Sequence, residues 1–98
     1  MEEVTYFNLL YDYYGDLLTD KQKEYFESYY FNNLSLGEMA EIYGVSRNAI
    51  HKQVKNVTEK LEHYEKVLGL CELNNKLNEI ISKMDSSEIK SELEKLIK

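Results

Sequence analysis

Residues 35–58, SLGEMAEIYGVSRNAIHKQVKNVT, admit few ways of folding. Ser35 followed by Glu38 has the spacing of a capping box, which starts a helix at Leu36. Met39, Ala40 and Tyr43 then supply an apolar stripe at helical spacing. Gly44 falls where the chain must turn, and glycine takes a positive φ there at little cost. Val45 is expected to drop into the core behind the turn, and Ser46 to cap the next helix. Ile50, Val54 and Val57 face back onto the first helix, with the small Ala40 where two helices cross closely. A small residue, a glycine corner and an apolar anchor six residues on form the helix-turn-helix pattern.

The second helix of this pair carries an unusual surface. Between Ser46 and Thr58 there is no acid, and Arg47, Lys52 and Lys55 give +3, while the rest of the chain has 9 bases against 18 acids. At about 100° per residue, Arg47, Asn48, His51, Lys52 and Lys55 share a face turned away from Ile50, Val54 and Val57. In a helix-turn-helix that face enters the major groove of double-stranded DNA, N-terminal residues first. Arg and Asn have bidentate matches to guanine and adenine edges. The plainer alternative is a solvated basic face, and the acidic background makes a chance acid-free window the weaker explanation. A net charge of −6 argues against broad nucleic-acid binding. Duplex affinity would come from one local patch, so a monomer should bind weakly and two copies better.

The rest of the chain reads as helices around this pair. With 98 residues and no proline, long helices in a single domain spanning 1–98 are expected. Val4, Phe7, Tyr11 and Tyr14, with Leu10, recur at helical spacing over residues 3–14, and Gly15 and Asp16 end that helix. Thr19 with Gln22 is a second capping box, opening a helix to about Phe31 or Asn32 with Tyr25, Phe26, Tyr29 and Tyr30 on one face and Leu18 packed ahead of it. The nine tyrosines follow the helix period, so they read as a core rim rather than a base-stacking platform. From Arg47 the seam Ile50, Val54, Val57, Leu61, Tyr64, Leu68 alternates steps of 4 and 3, so the recognition helix extends to about Leu68 with Gly69 behind it.

After Gly69, the seam Leu70, Leu73, Leu77, Ile80, Met84 lines a helix over about residues 71–83. Asp85 with Glu88 forms a third capping box before a last helix bearing Ile89, Leu93 and Leu96. This C-terminal helical extension, residues 70–98, either folds back on the N-terminal helix or makes a homodimer through its helices. The regularity of the seam leans toward the interface. The fold class expected is all-α: a trihelical helix-turn-helix core, an extended recognition helix and a C-terminal helical pair.

Catalysis and cofactors find no support. His51 and His63 lie 12 apart on one helix, about 18 Å, too far to share a metal. His63 and Cys71 have no third ligand near them in sequence, so no metal site is expected. No glycine-rich phosphate loop or G-x-S-x-G is present. No apolar run approaches a membrane span, and the single Cys71 suits a reducing compartment, hence the cytoplasm.

The run LTDKQKEYFESYYFNNLSLGEMAEIYGVSRNAIHKQVKNVTEKL, residues 18–61, resembles region 4 of bacterial sigma factors through the spacing of Leu18, Gln22, Phe26, Leu36, Ala40, Gly44, Ser46, Ile50 and Val54. FNLLYDYYGDLLT and EIYGVSRNAIHKQVKN carry a closer likeness, to the YlxM family of small helix-turn-helix proteins, from about Phe7 to about Leu70. The resemblance implies an all-helical cytoplasmic protein whose DNA-reading positions fall on Arg47, Asn48, His51, Lys52 and Lys55. Asn56 and Thr58 depart from it, standing where relatives often carry Arg or Lys. With the other sigma regions missing, a promoter-recognising polymerase subunit is not expected. The resemblance also implies a link to the signal recognition particle pathway, through gene neighbourhood. That link sets a second reading beside DNA binding: a non-catalytic adaptor whose acidic, tyrosine-rich N-terminal half binds a protein or RNA component of the particle.

Overall fold

A computed structural model describes residues 3–85 and 87–97. Among these residues every regular element is helical. In order they are α1 (Glu3–Tyr14), a 3-10 turn (Gly15–Leu17), α2 (Asp20–Phe26), a π-helical turn (Glu27–Phe31), α3 (Leu36–Tyr43), α4 (Arg47–Leu68), α5 (Leu70–Ser82) and α6 (Ser87–Glu94). The fold is the all-α helix-turn-helix expected, with α2, α3 and the first half of α4 as its trihelical core.

Side chains set most of the boundaries. The Gln22 amide donates to the Thr19 hydroxyl at 3.2 Å, and the Thr19 amide to the Gln22 side chain at 2.9 Å. Ser35 and Glu38 exchange the same pair of bonds, both at 3.0 Å. Ser46 accepts from the Ala49 amide at 3.1 Å. Each satisfies amides that a helix start leaves orphaned. At the corner between α3 and α4, Gly44 has φ 68° and the Val45 amide closes on the Ala40 carbonyl at 3.1 Å.

Nothing crowds the space a Cβ would take at Gly44, so its requirement is purely conformational. Gly44→Ala should lower stability by about 1–2 kcal/mol, while Gly44→Asn, whose side chain tolerates the left-handed region, should lose less. Urea denaturation followed by far-UV circular dichroism checks both.

Two apolar clusters share α4 as a common wall. Tyr25, Met39, Ile50 and Val54 close the helix-turn-helix. Phe7, Leu10, Tyr14, Leu18, Phe26, Val57, Leu61 and Cys71 seat α1 and the start of α5 against α2 and the second half of α4. Tyr30 packs against both clusters and joins them. Phe26 centres an aromatic stack: the Tyr11 ring lies parallel at 4.2 Å, Tyr30 at 4.6 Å, and Phe31 meets it edge-on at 5.7 Å.

The structure departs from the sequence reading at five places. The helix opened by Thr19 does not stay α-helical to Phe31. It widens after Phe26 into the π turn, where the Asn32 amide reaches back to the Glu27 carbonyl, and this lets Tyr30 and Phe31 both pack on Phe26. Asn33, at φ 54°, completes the break. Val45 lies outside the core at 42% exposure, because the left-handed Gly44 carries the chain outward at the corner. Val4 is also exposed, one turn before Phe7. Leu68 is exposed, since a 3–4 seam on a straight helix drifts by roughly 20° per heptad and has left the shared core about two and a half heptads after Ile50. On α5, Cys71 and Ile81 are buried while Leu70, Leu73 and Ile80 of the expected seam face outward. The helix start expected from the Asp85–Glu88 spacing falls on Ser86, which lies outside the described residues, and α6 is described from Ser87. The molecule is elongated, 56 × 24 × 23 Å.

Candidate nucleic-acid interface

The first half of α4 builds the candidate site. Its inner face is held by Ile50 (0% exposed) and Val54 (8%), packed with Met39 of α3 and Tyr25 of α2. A buried row at helical spacing fixes which way the other face looks. Arg47, Asn48, His51, Lys52 and Lys55 are all exposed on that outer side. The five expected reading residues are therefore brought to one accessible surface. Of the framework residues, Ala40 is half-buried at the helix crossing, Gly44 forms the corner, Ser46 caps α4, and Ile50 and Val54 anchor it.

The surface is electrostatically simple. The first turn of α4 holds no acid. Lys55 pairs with Glu59 one turn on, at 3.9 Å. Both partners are largely exposed, so the pair is weak and easily exchanged for a phosphate. On α3 the acids Glu38 and Glu41 face solvent. Hydrogen bonding to Ser35, its backbone amide foremost, holds the Glu38 carboxyl below the usual carboxylate range. These two charges oppose close approach of α3 to a polyanion, so the basic ridge of α4 must lead any contact.

A groove of about 200 Å³ runs beside the ridge, lined by Tyr29, Tyr30, Leu36, His51, Lys55 and Thr58 among others. Sequence spacing did not place Tyr29 and Tyr30 here, because the π turn that rotates them toward α4 leaves no periodic signal. Burial pushes the Tyr30 hydroxyl up to about 12, so it stays a hydrogen-bond donor at neutral pH. Thr58 is nearly buried and returns its hydroxyl to the Lys55 carbonyl at 2.9 Å, which removes it from the contact surface.

Among the described residues no three His, Cys, Asp or Glu side chains converge to hold a metal ion, and no helix is long and apolar enough to cross a membrane.

Comparison with known proteins agrees with this geometry. The family model for UPF0122, described as "Putative helix-turn-helix protein, YlxM / p13 like", matches residues 1–98. The UPF0122 protein YlxM of Bacillus subtilis is 42% identical over 106 residues, spanning 100% of this chain and 96% of its own length. The UPF0122 protein of Desulforamulus reducens is 44% identical over 92 residues, 90% of this chain and 79% of its own. A UPF0122 protein of Caldanaerobacter subterraneus is 43% identical over 83 residues, 85% of this chain and 71% of its own. With an acid-free ridge on a capped, glycine-cornered helix pair and a family match along its whole length, the chain belongs to the UPF0122 family of YlxM-like helix-turn-helix proteins.

Proposed function

We propose that this chain is a non-catalytic regulator that reads double-stranded DNA with α4, acting in the cytoplasm as a homodimer joined through its C-terminal helices. One observation carries the reading: Arg47, Asn48, His51, Lys52 and Lys55 stand exposed on one side of the acid-free first half of a helix whose other side is locked in the core. Arg47 and Asn48, at the leading end, meet base edges; Lys52 and Lys55 hold phosphates and fix the register. The whole of residues 1–98 serves as the working unit, with the reader in residues 35–58 and the pairing arm in residues 70–98.

Pairing follows from the weakness of one ridge. Three cations on an acidic protein support few phosphate contacts, and a second copy doubles them. The outward residues Leu70, Leu73 and Ile80 of α5 and Ile89 of α6 offer an apolar surface for that copy. Leu73→Glu with Ile80→Glu should convert a dimer to a monomer in sedimentation equilibrium without lowering the melting temperature of the reader.

Selection from a random duplex library, repeated at low and moderate salt, tests the function. A recovered motif supports it; no enrichment at either salt rejects it. The adaptor reading, in which the acidic tyrosine-rich half binds a component of the signal recognition particle, has one supporting feature, the charge of residues 3–43, where eight acids face two bases. It requires a complex that survives nuclease treatment and is indifferent to loss of Lys52 and Lys55.

A further inference from the structure

We propose that Glu65 and Tyr14 are positioning residues: together they clamp the C-terminal arm at one angle to the reading helix and so set the spacing at which two copies engage DNA. The second half of that statement rests on the DNA-binding reading above; the clamp itself does not.

The start of α5 is a helix without a cap of its own. Gly69 precedes it in the left-handed conformation, φ 64°, and has no side chain to offer the first amides. Those amides are nonetheless satisfied, each by a residue distant in the chain or in another helix. The Leu70 amide donates to the Tyr14 hydroxyl at 3.0 Å. The Cys71 and Glu72 amides donate to the two oxygens of Glu65, both at 3.1 Å. The Tyr14 hydroxyl in turn donates to Glu65 at 2.5 Å. One phenol from α1 and one carboxylate from α4 thus close a bracket over three consecutive orphan donors of α5. The carboxylate charge also sits at the positive end of the α5 dipole.

Two features make this more than local capping. The Gly69 corner has open space where a Cβ would lie, so sterics alone do not hold the angle between α4 and α5. Further attachment of the arm to the body is concentrated near its start: Cys71 is buried, and Asn74 donates to the Tyr13 hydroxyl at 3.0 Å. Leu73 and, further along, Ile80 face outward. Glu65 also lies on the same continuous helix as Arg47, eighteen residues on, roughly 27 Å along its axis. The arm is therefore referenced to the rod that carries the reading face. Two copies joined through such arms present their ridges at a fixed separation, and loosening the bracket leaves each ridge intact while the separation wanders.

The test has a DNA-free arm and a DNA arm. Spin labels at Gln53→Cys and Asn78→Cys, both exposed positions, on a Cys71→Ser background diluted with unlabelled chain, report the α4–α5 distance. One narrow distance is expected for the parent, and a broadened distribution for Glu65→Ala and for Tyr14→Phe, which keeps the buried ring and loses only the hydroxyl. Duplexes bearing two selected half-sites, with spacers lengthened one base pair at a time, should give the parent a single optimum. The variants should flatten that optimum and lose about tenfold in affinity for the best duplex, with affinity for a lone half-site unchanged. A distance that stays narrow in both variants overturns the clamp. A lone half-site affinity that falls in step overturns the positioning role, because the damage would then lie in the reader. If no half-site exists for the parent, the DNA reading and the spacing role fall together, and the distance measurement still decides the clamp.

Discussion

The Lys52→Ala, Lys55→Ala double variant is expected to lose about 100-fold in duplex affinity at 0.1 M salt, equally for every sequence, and to flatten the salt dependence by about two units of slope per bound chain. Each lysine is exposed and stands on the outward side of α4, so each would neutralise one phosphate and release its counterion. Folding should not change, since neither side chain fills the core and the one ion pair involved, Lys55 with Glu59, joins two exposed groups. Arg47→Ala should behave differently. It should cost about 1–3 kcal/mol on the selected sequence and relax the preference at one base position. Lys66→Ala, at the far end of α4, should leave both affinity and slope unchanged. Fluorescence anisotropy across a salt series separates these outcomes. Equal, sequence-selective losses for all three changes would reject the division between phosphate and base contacts.

The second large effect falls on stability. Phe26→Ala should cost about 3–5 kcal/mol, the range for removing a fully buried aromatic ring. Phe26 is 0% exposed and is the ring on which Tyr11, Tyr30 and Phe31 all pack. Its loss opens a cavity beneath the π turn, and Tyr30, which joins the two clusters, loses its seat. Natural domains have only about 5–15 kcal/mol in hand, so this one change should remove a large part of the total and lower the melting temperature by roughly 15–30 °C. Thermal unfolding followed at 222 nm measures it. A shift of only a few degrees would mean that the aromatic stack is not the centre of the fold.

What could be read from the residues alone was local. Thr19 and Ser35 each start a helix where their spacing to Gln22 and Glu38 placed it, Ser46 caps α4 as expected, and Gly44 and Gly69 both adopt the left-handed turn. A cap is decided within four residues, so one sequence suffices to see it. The outward placement of Arg47, Asn48, His51, Lys52 and Lys55 was legible for the same reason: once Ile50 and Val54 point inward, the helical period leaves no choice. The π turn was not legible. It is set by how Tyr30 and Phe31 pack on Phe26 and how Phe26 and Phe31 meet Tyr11 of another helix, a tertiary preference that outweighs the local α-helical pattern. The fate of the Leu73–Ile80 seam was equally hidden, because periodicity marks an apolar face and not what covers it. The bracket of Tyr14 and Glu65 joins residues 51 apart, and nothing in either segment announces the other.

Backbone amide mapping by NMR during titration with a selected duplex tests the central claim most directly. If the ridge is the reading edge, the largest shift changes fall on residues 46–55, and α1 and the aromatic face of α2 stay still. Changes confined to the acidic tyrosine-rich half or to α5 and α6, with residues 46–55 silent, would contradict it.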